Sequence, residues 1–154
     1  MDAILTSVIA VLGTLLGSAL THVFQQRTAL RAEQSSREAH LRQERLDVYG
    51  TYAAQLVEFR QAMVHHWICV HEGRDADDEV SLRRRSYELR AGAQQALFQL
   101  QLITDAPEVN TAAAEAFRAI GKLNRATDRA DLDTRRESAR DLIDTFVVTA
   151  RRHV

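Results

Sequence analysis

Punctuation is scarce in this sequence: one proline and six glycines in 154 residues. That scarcity excludes a turn-rich all-β fold, and no alternating strand pattern of any length appears. Cysteine is scarcer still. Cys69 stands alone, so neither an intrachain disulfide nor an extracellular disulfide framework can form. Lysine is nearly missing as well: Lys122 is the sole example among 20 basic residues, a bias of GC-rich coding rather than of arginine chemistry. Charge of one sign is absent, with 20 basic residues against 21 acidic ones and a formal net charge of −1. No global field draws such a chain to nucleic acid, which is not expected as a partner. The sequence has no phosphate loop, dinucleotide fingerprint, nucleophile elbow or zinc-protease motif. Its carboxylates lie in mixed-charge surroundings, not beside apolar runs that would raise a pKa. No enzyme activity, cofactor or small-molecule substrate is therefore expected.

What is present is one long apolar run at the amino end. Residues 3–24 read AILTSVIAVLGTLLGSALTHVF, without formal charge unless His22 is protonated. As a helix this run spans roughly 33 Å, enough for a hydrocarbon core of about 30 Å. A cleaved signal peptide would start with positive charge, but Asp2 is the only charged side chain nearby; a buried core helix would be shorter and one-sided. Residues 1–24 are thus expected to form a transmembrane anchor. Arg27, Arg31, Arg37, Arg42 and Arg45 all follow it, so the positive-inside rule puts the amino terminus outside and the rest in the cytoplasm. Gly13 and Gly17 have the GxxxG spacing, and Ala10 and Thr14 extend the same small-residue face. Such a face lets two helix backbones approach in the bilayer; the expected partners are the lipid bilayer and either further copies of the chain or other membrane proteins.

Residues 25–43 are almost wholly polar but rich in helix formers, a helical stalk whose weakest point is Ser35-Ser36. Residues 44–154 then read as a bundle. Tyr49, Tyr52, Leu56, Phe59, Met63, His66 or Trp67, and Val70 recur at helical steps. After an acidic break at 73–78, a second helix to Thr104 carries Leu89, Ala93, Ala96, Leu100 and Ile103 inward, with Leu97 beside them. Asp105 or Thr104 can cap a third helix beginning at Pro107 and reaching about Ala126. Its inner residues are Val109, Ala113, Ala116, Phe117, Ile120 and Leu123. A fourth helix, capped by Asp133 or Thr134, turns Ala139, Leu142, Ile143, Phe146, Val147 and Ala150 inward. The fold class expected is all-α: a single amino-terminal transmembrane helix continuing into a cytoplasmic, antiparallel bundle of three to four helices.

Two clusters invite a functional reading. The run His65-His66-Trp67-Ile68-Cys69-Val70-His71 sets His65 and Cys69 four apart, a spacing by which two side chains can grip one metal ion. His71 falls on the opposite side of the helix and no acidic partner completes the set, so the run reads as an ordinary helix end with no metal. Arg83-Arg84-Arg85 with Arg90 is the densest basic patch. With Asp77, Asp78, Glu79 and Glu88 around it, it reads as a solvated face with intrahelical ion pairs, not a lipid or nucleic-acid contact.

Three segments, SVIAVLGTLLGSALTHVFQQR, LRQERLDVYGTYAAQLVEFRQA and ALFQLQLITDAP, resemble the KilB-like small proteins of streptomycetes and their relatives, and the arginine bias fits such GC-rich actinobacteria. The resemblance implies a membrane-bound accessory of plasmid transfer, connected with plasmid spread through a mycelium. It supplies no functional residues. The leading expectation is thus a non-enzymatic protein acting through helix–helix contacts, and the alternative a membrane-anchored, ligand-sensing or signalling bundle. Sidedness is open to a direct test: a cysteine introduced as Ser35→Cys should stay unlabelled by an impermeant thiol reagent in intact cells and react after lysis, whereas labelling of intact cells would reverse the orientation.

Overall fold

A computed structural model of the chain describes the backbone of residues 2–73 and 76–154 and the side chains of residues 33–73 and 80–154. Among the described residues every element is helical: α1 (Asp2–Glu72), α2 (Ala76–Ile103), α3 (Pro107–Gly121) and α4 (Arg129–Ala150), with single 3-10 turns at Leu123–Arg125 and Arg151–His153. The chain divides into two compact units, Met1–Leu41 and Arg42–Val154. In the first, helix α1 runs without interruption through Ser35 and Ser36, and its described side chains are solvent-exposed. Arg37 pairs with Glu33 one turn earlier. No described helix is long and apolar enough to cross a membrane. The expected anchor, with Ala10, Gly13, Thr14 and Gly17, lies outside the residues whose side chains are described.

The second unit is a bundle built on the apolar stripe of α1. Tyr49, Tyr52, Leu56, Phe59, Met63 and Trp67 are all buried, as their three- and four-residue spacing requires of one helix face. Cross-helix contacts give the directions. Tyr49 and Tyr52 meet Phe146 near the end of α4, while Glu72 meets Arg129 at its start, so these two helices are antiparallel. Tyr52 bonds Ala113, Phe59 meets Phe117 and Trp67 bonds Ala126, so α3 runs parallel to α1. Ser86 reaches the carbonyl of Ala62 and Gly92 lies against Gln55, which sets α2 antiparallel to α1. The arrangement is the up-down bundle that short links favour. Its inner residues include every one expected of α3 (Val109, Ala113, Ala116, Phe117, Ile120 and Leu123).

Helix ends account for most departures from expectation. α1 stops because Gly73 takes a left-handed φ of 69°, the usual glycine termination. The cap of α3 is Ala106, not Thr104 or Asp105. Pro107 forces the residue before it to be extended, so the cap position falls on a side chain that cannot cap. Buried Thr104 compensates, its hydroxyl accepting from the Ala106 N–H at 3.3 Å and its carbonyl from the Asn110 amide at 3.3 Å. α3 ends at Gly121, short of Ala126, and α4 begins at Arg129 rather than after Asp133 or Thr134. Asp128 caps it, accepting the Asp131 N–H at 2.8 Å, and Asp131 reaches back to the Thr127 N–H at 3.0 Å. This exchange draws Leu132 into the helix, where it is fully buried against Trp67 and Ala126. The Arg135 guanidinium, 2.8 Å away, and the Thr127 N–H hold the Asp131 carboxyl below its ordinary range.

Two expected inner residues point out. Val70 shares the α1 stripe but stands in its last turn, where no neighbouring helix covers it, and Val147 lies about 100° round the helix from Phe146. Replacement of the cap tests the boundary: Asp128→Ala should cost about 1 kcal/mol in chemical denaturation, whereas Asp133→Ala should cost far less.

Candidate interaction surfaces

The histidine run does not assemble into a site. His65 is exposed, Cys69 is buried, and His71 stacks on Trp67 at 4.2 Å between ring centroids. The His71 Nδ1 lies 3.0 Å from the Trp67 carbonyl. Among the described residues no group of three or more His, Cys, Asp or Glu side chains is placed to hold a metal ion. The basic patch is spread around α2: Arg83, Arg84, Arg85 and Arg90 are exposed, and Arg84 pairs with Glu88 at 3.3 Å. The side chains of Asp77, Asp78 and Glu79, which the sequence sets beside it, lie outside the described residues.

What the described surface offers instead lies between and outside the helices. The first feature is on α2, whose inner face is occupied by Leu89, Ala93, Ala96, Leu97 and Leu100. Its outer face carries Val80, Tyr87, Phe98 and Leu102, exposed by 64, 65, 56 and 88%. At about 100° per residue these four fall within one narrow sector, with Ala91 among them. The helix is therefore apolar along two opposite faces, only one of which the bundle covers. Exposed apolar residues aligned on one helix face are a candidate interaction surface.

The second feature is a groove between α1 and α4, of about 470 Å³, lined by Arg60, Gln61, His65, Arg136, Glu137 and Arg140 among others. Burial and the nearby guanidinium groups of Arg136 and Arg140 push the Arg60 pKa down, while Glu137 and Asp144 only partly offset them. The Arg60 Nε is enclosed without a hydrogen-bond partner. Arg136 and Arg140 have loose carboxylate neighbours, Asp133 at 3.8 Å and Glu137 at 3.7 Å.

The third feature lies at the other end of the same helix pair, where an apolar groove of about 430 Å³ is lined by Leu46, Tyr49, Ala53, Phe146 and Val147, with Arg42 and Arg151 also contributing. Tyr49 is buried and its hydroxyl has no partner. The contrast with Tyr52 one turn on is sharp: that hydroxyl donates to the Ala113 carbonyl at 2.8 Å, and burial pushes its pKa up.

None of these features was singled out by residue pattern. The α2 outer stripe had a signal, a second set of apolar residues offset from the inner one. The arginine groove had almost none, because Arg60 is far in sequence from Arg136 and Arg140.

These features define a class of protein, a four-helix bundle whose described surface carries an exposed apolar row and two grooves. A family model described as KilB plasmid transfer protein matches residues 46–154. The chain belongs to that family, as the resemblance of its segments implied, and this connects it with plasmid transfer. No curated protein and no solved structure matches it.

The two tyrosines give a paired test. Tyr52→Phe should cost about 0.5–1.5 kcal/mol for the lost hydrogen bond, read from urea unfolding. Tyr49→Phe removes a buried group that has no partner, so stability should hold or rise.

Proposed function

We propose that the protein is a non-enzymatic, membrane-anchored accessory of plasmid transfer that works by helix–helix contact, and that its main contact in the bundle is with a second copy of itself through the outer face of α2. The observation that carries this reading is the exposed stripe of Val80, Tyr87, Phe98 and Leu102. Tyr87 and Phe98 are eleven residues apart, three helical turns. A second copy laid antiparallel across α2 therefore brings each Tyr87 onto the other's Phe98. The same register sets each Leu102 level with the other's Arg83 along the helix axis. Such a contact is self-complementary, the condition for a two-fold interface, and aromatic residues are the usual anchors of such interfaces. In the membrane, the face of Ala10, Gly13, Thr14 and Gly17 would pair neighbouring anchors, a contact independent of the antiparallel one between bundles.

A ligand-sensing bundle is the second reading, favoured by the apolar groove at Tyr49. Its volume of about 430 Å³ falls in the range of small-molecule sites.

Two sets of substitutions separate the contacts. In chains that also carry Gly13→Ile and Gly17→Ile, Tyr87→Lys with Phe98→Lys should shift the full-length protein in detergent from dimer towards monomer in light scattering, with unchanged helicity. In fluorescence transfer between labelled anchors in vesicles, Gly13→Ile with Gly17→Ile should abolish pairing. A dimer untouched by the α2 pair sinks the self-contact, and equal transfer after the glycine pair sinks the anchor contact.

A further inference from the structure

We infer that the arginine groove between α1 and α4 binds a phosphate group. Three guanidinium groups from two helices, Arg60, Arg136 and Arg140, converge on one depression of about 470 Å³. Burial lowers the Arg60 pKa most, and repulsion from Arg136 and Arg140 lowers it further. Packing that gathers like charges without enclosing an equal number of carboxylates leaves a local field that a bound anion would relieve. The carboxylates at hand supply that relief only in part, Glu137 and Asp144 raising the Arg60 pKa without offsetting the other causes. No hydrogen bond or ion pair links one to Arg60, Asp133 approaches Arg136 only to 3.8 Å, and Glu137 approaches Arg140 only to 3.7 Å. Each lies within ion-pair range but beyond hydrogen-bond distance.

The identity of the cations narrows the ligand. Guanidinium groups present planar donor pairs that match the oxygens of a phosphate, and several acting together favour a dianion over chloride. The groove also has room for more than a bare ion, with Val64 and Ile68 on its α1 wall. A phosphomonoester head on a small organic or acyl body fits both the charge and the apolar wall. The shared chemistry is a terminal phosphate, carried either by a small soluble molecule or by a lipid headgroup.

The test uses the purified full chain in neutral detergent, with thermal melting followed by circular dichroism. Inorganic phosphate represents the soluble source and dihexanoyl phosphatidic acid the lipid source; sodium chloride at equal ionic strength and dihexanoyl phosphatidylcholine are the controls. At least one phosphate probe should raise Tm saturably, by roughly 5 °C, beyond its control. A rise with both assigns the groove to terminal phosphates in general, and a rise with phosphatidic acid alone assigns it to a headgroup.

Arg136→Gln with Arg140→Gln should abolish the rise. These side chains are substantially exposed, so the fold should survive their loss and the unliganded Tm should not fall. Arg60→Met, which removes the enclosed charge, should weaken the response at least tenfold in phosphate concentration. Equal shifts with phosphate probes and controls, or a full shift retained in the double variant, would overturn the assignment.

Discussion

Phe146 of α4 receives two tyrosines of α1 nearly edge-on, with ring planes 79° and 89° apart and centroids 6.3 and 5.1 Å away. Edge-to-face contacts between buried rings restrict how two helices can slide, because the positive edge of one ring must meet the face of the other. Once Phe146 lies against Tyr49 and Tyr52, the antiparallel register of α1 and α4 follows. Arg60 must then face the turn that carries Arg136 and Arg140, and Glu72 must come within 2.9 Å of Arg129 at the far end. The apolar groove beside Tyr49 and the arginine groove further along are thus two products of one alignment. Tyr52 also donates to Ala113 of α3, so the third helix is registered from the same point.

The sequence exposed this architecture where burial is one-sided and long. The α1 stripe from Tyr49 to Trp67 and the α3 stripe from Val109 to Leu123 are inside, as spacing required. It misled where local chemistry competes with periodicity. Asp133 and Thr134 are good capping residues, but Asp128 and Asp131 cap the helix earlier and win a buried Leu132 in doing so. Pro107 decided the start of α3 through its steric demand on Ala106, which a rule about capping side chains does not capture. On α2 the pattern held two answers at once: Leu89, Ala93 and Leu100 are core, while Tyr87, Phe98 and Leu102 mark a second apolar face that the bundle leaves open.

The arginine groove was hidden for a different reason. A net charge of −1 and well-mixed signs describe the chain in one dimension. Arg136 and Arg140 each have an acidic residue within a turn, so in sequence they look compensated. Folding adds Arg60 from another helix and brings no acid with it close enough to form a pair. Charge balance along a sequence therefore sets no limit on charge balance at a surface, and mixed composition is a poor ground for excluding an anion site.

The extent of the family match bears on where the common activity lies. It covers residues 46–154, and among the described residues burial of α1 side chains begins at Tyr49. What the family model describes is therefore the bundle, including α2's open face and both α1–α4 grooves, and not the segment proposed as an anchor. The match therefore speaks for the bundle and is silent on the segment proposed as an anchor. On the reading proposed above, membrane attachment would fix where the bundle acts, while contact between copies and an anion in the arginine groove would govern what it does there.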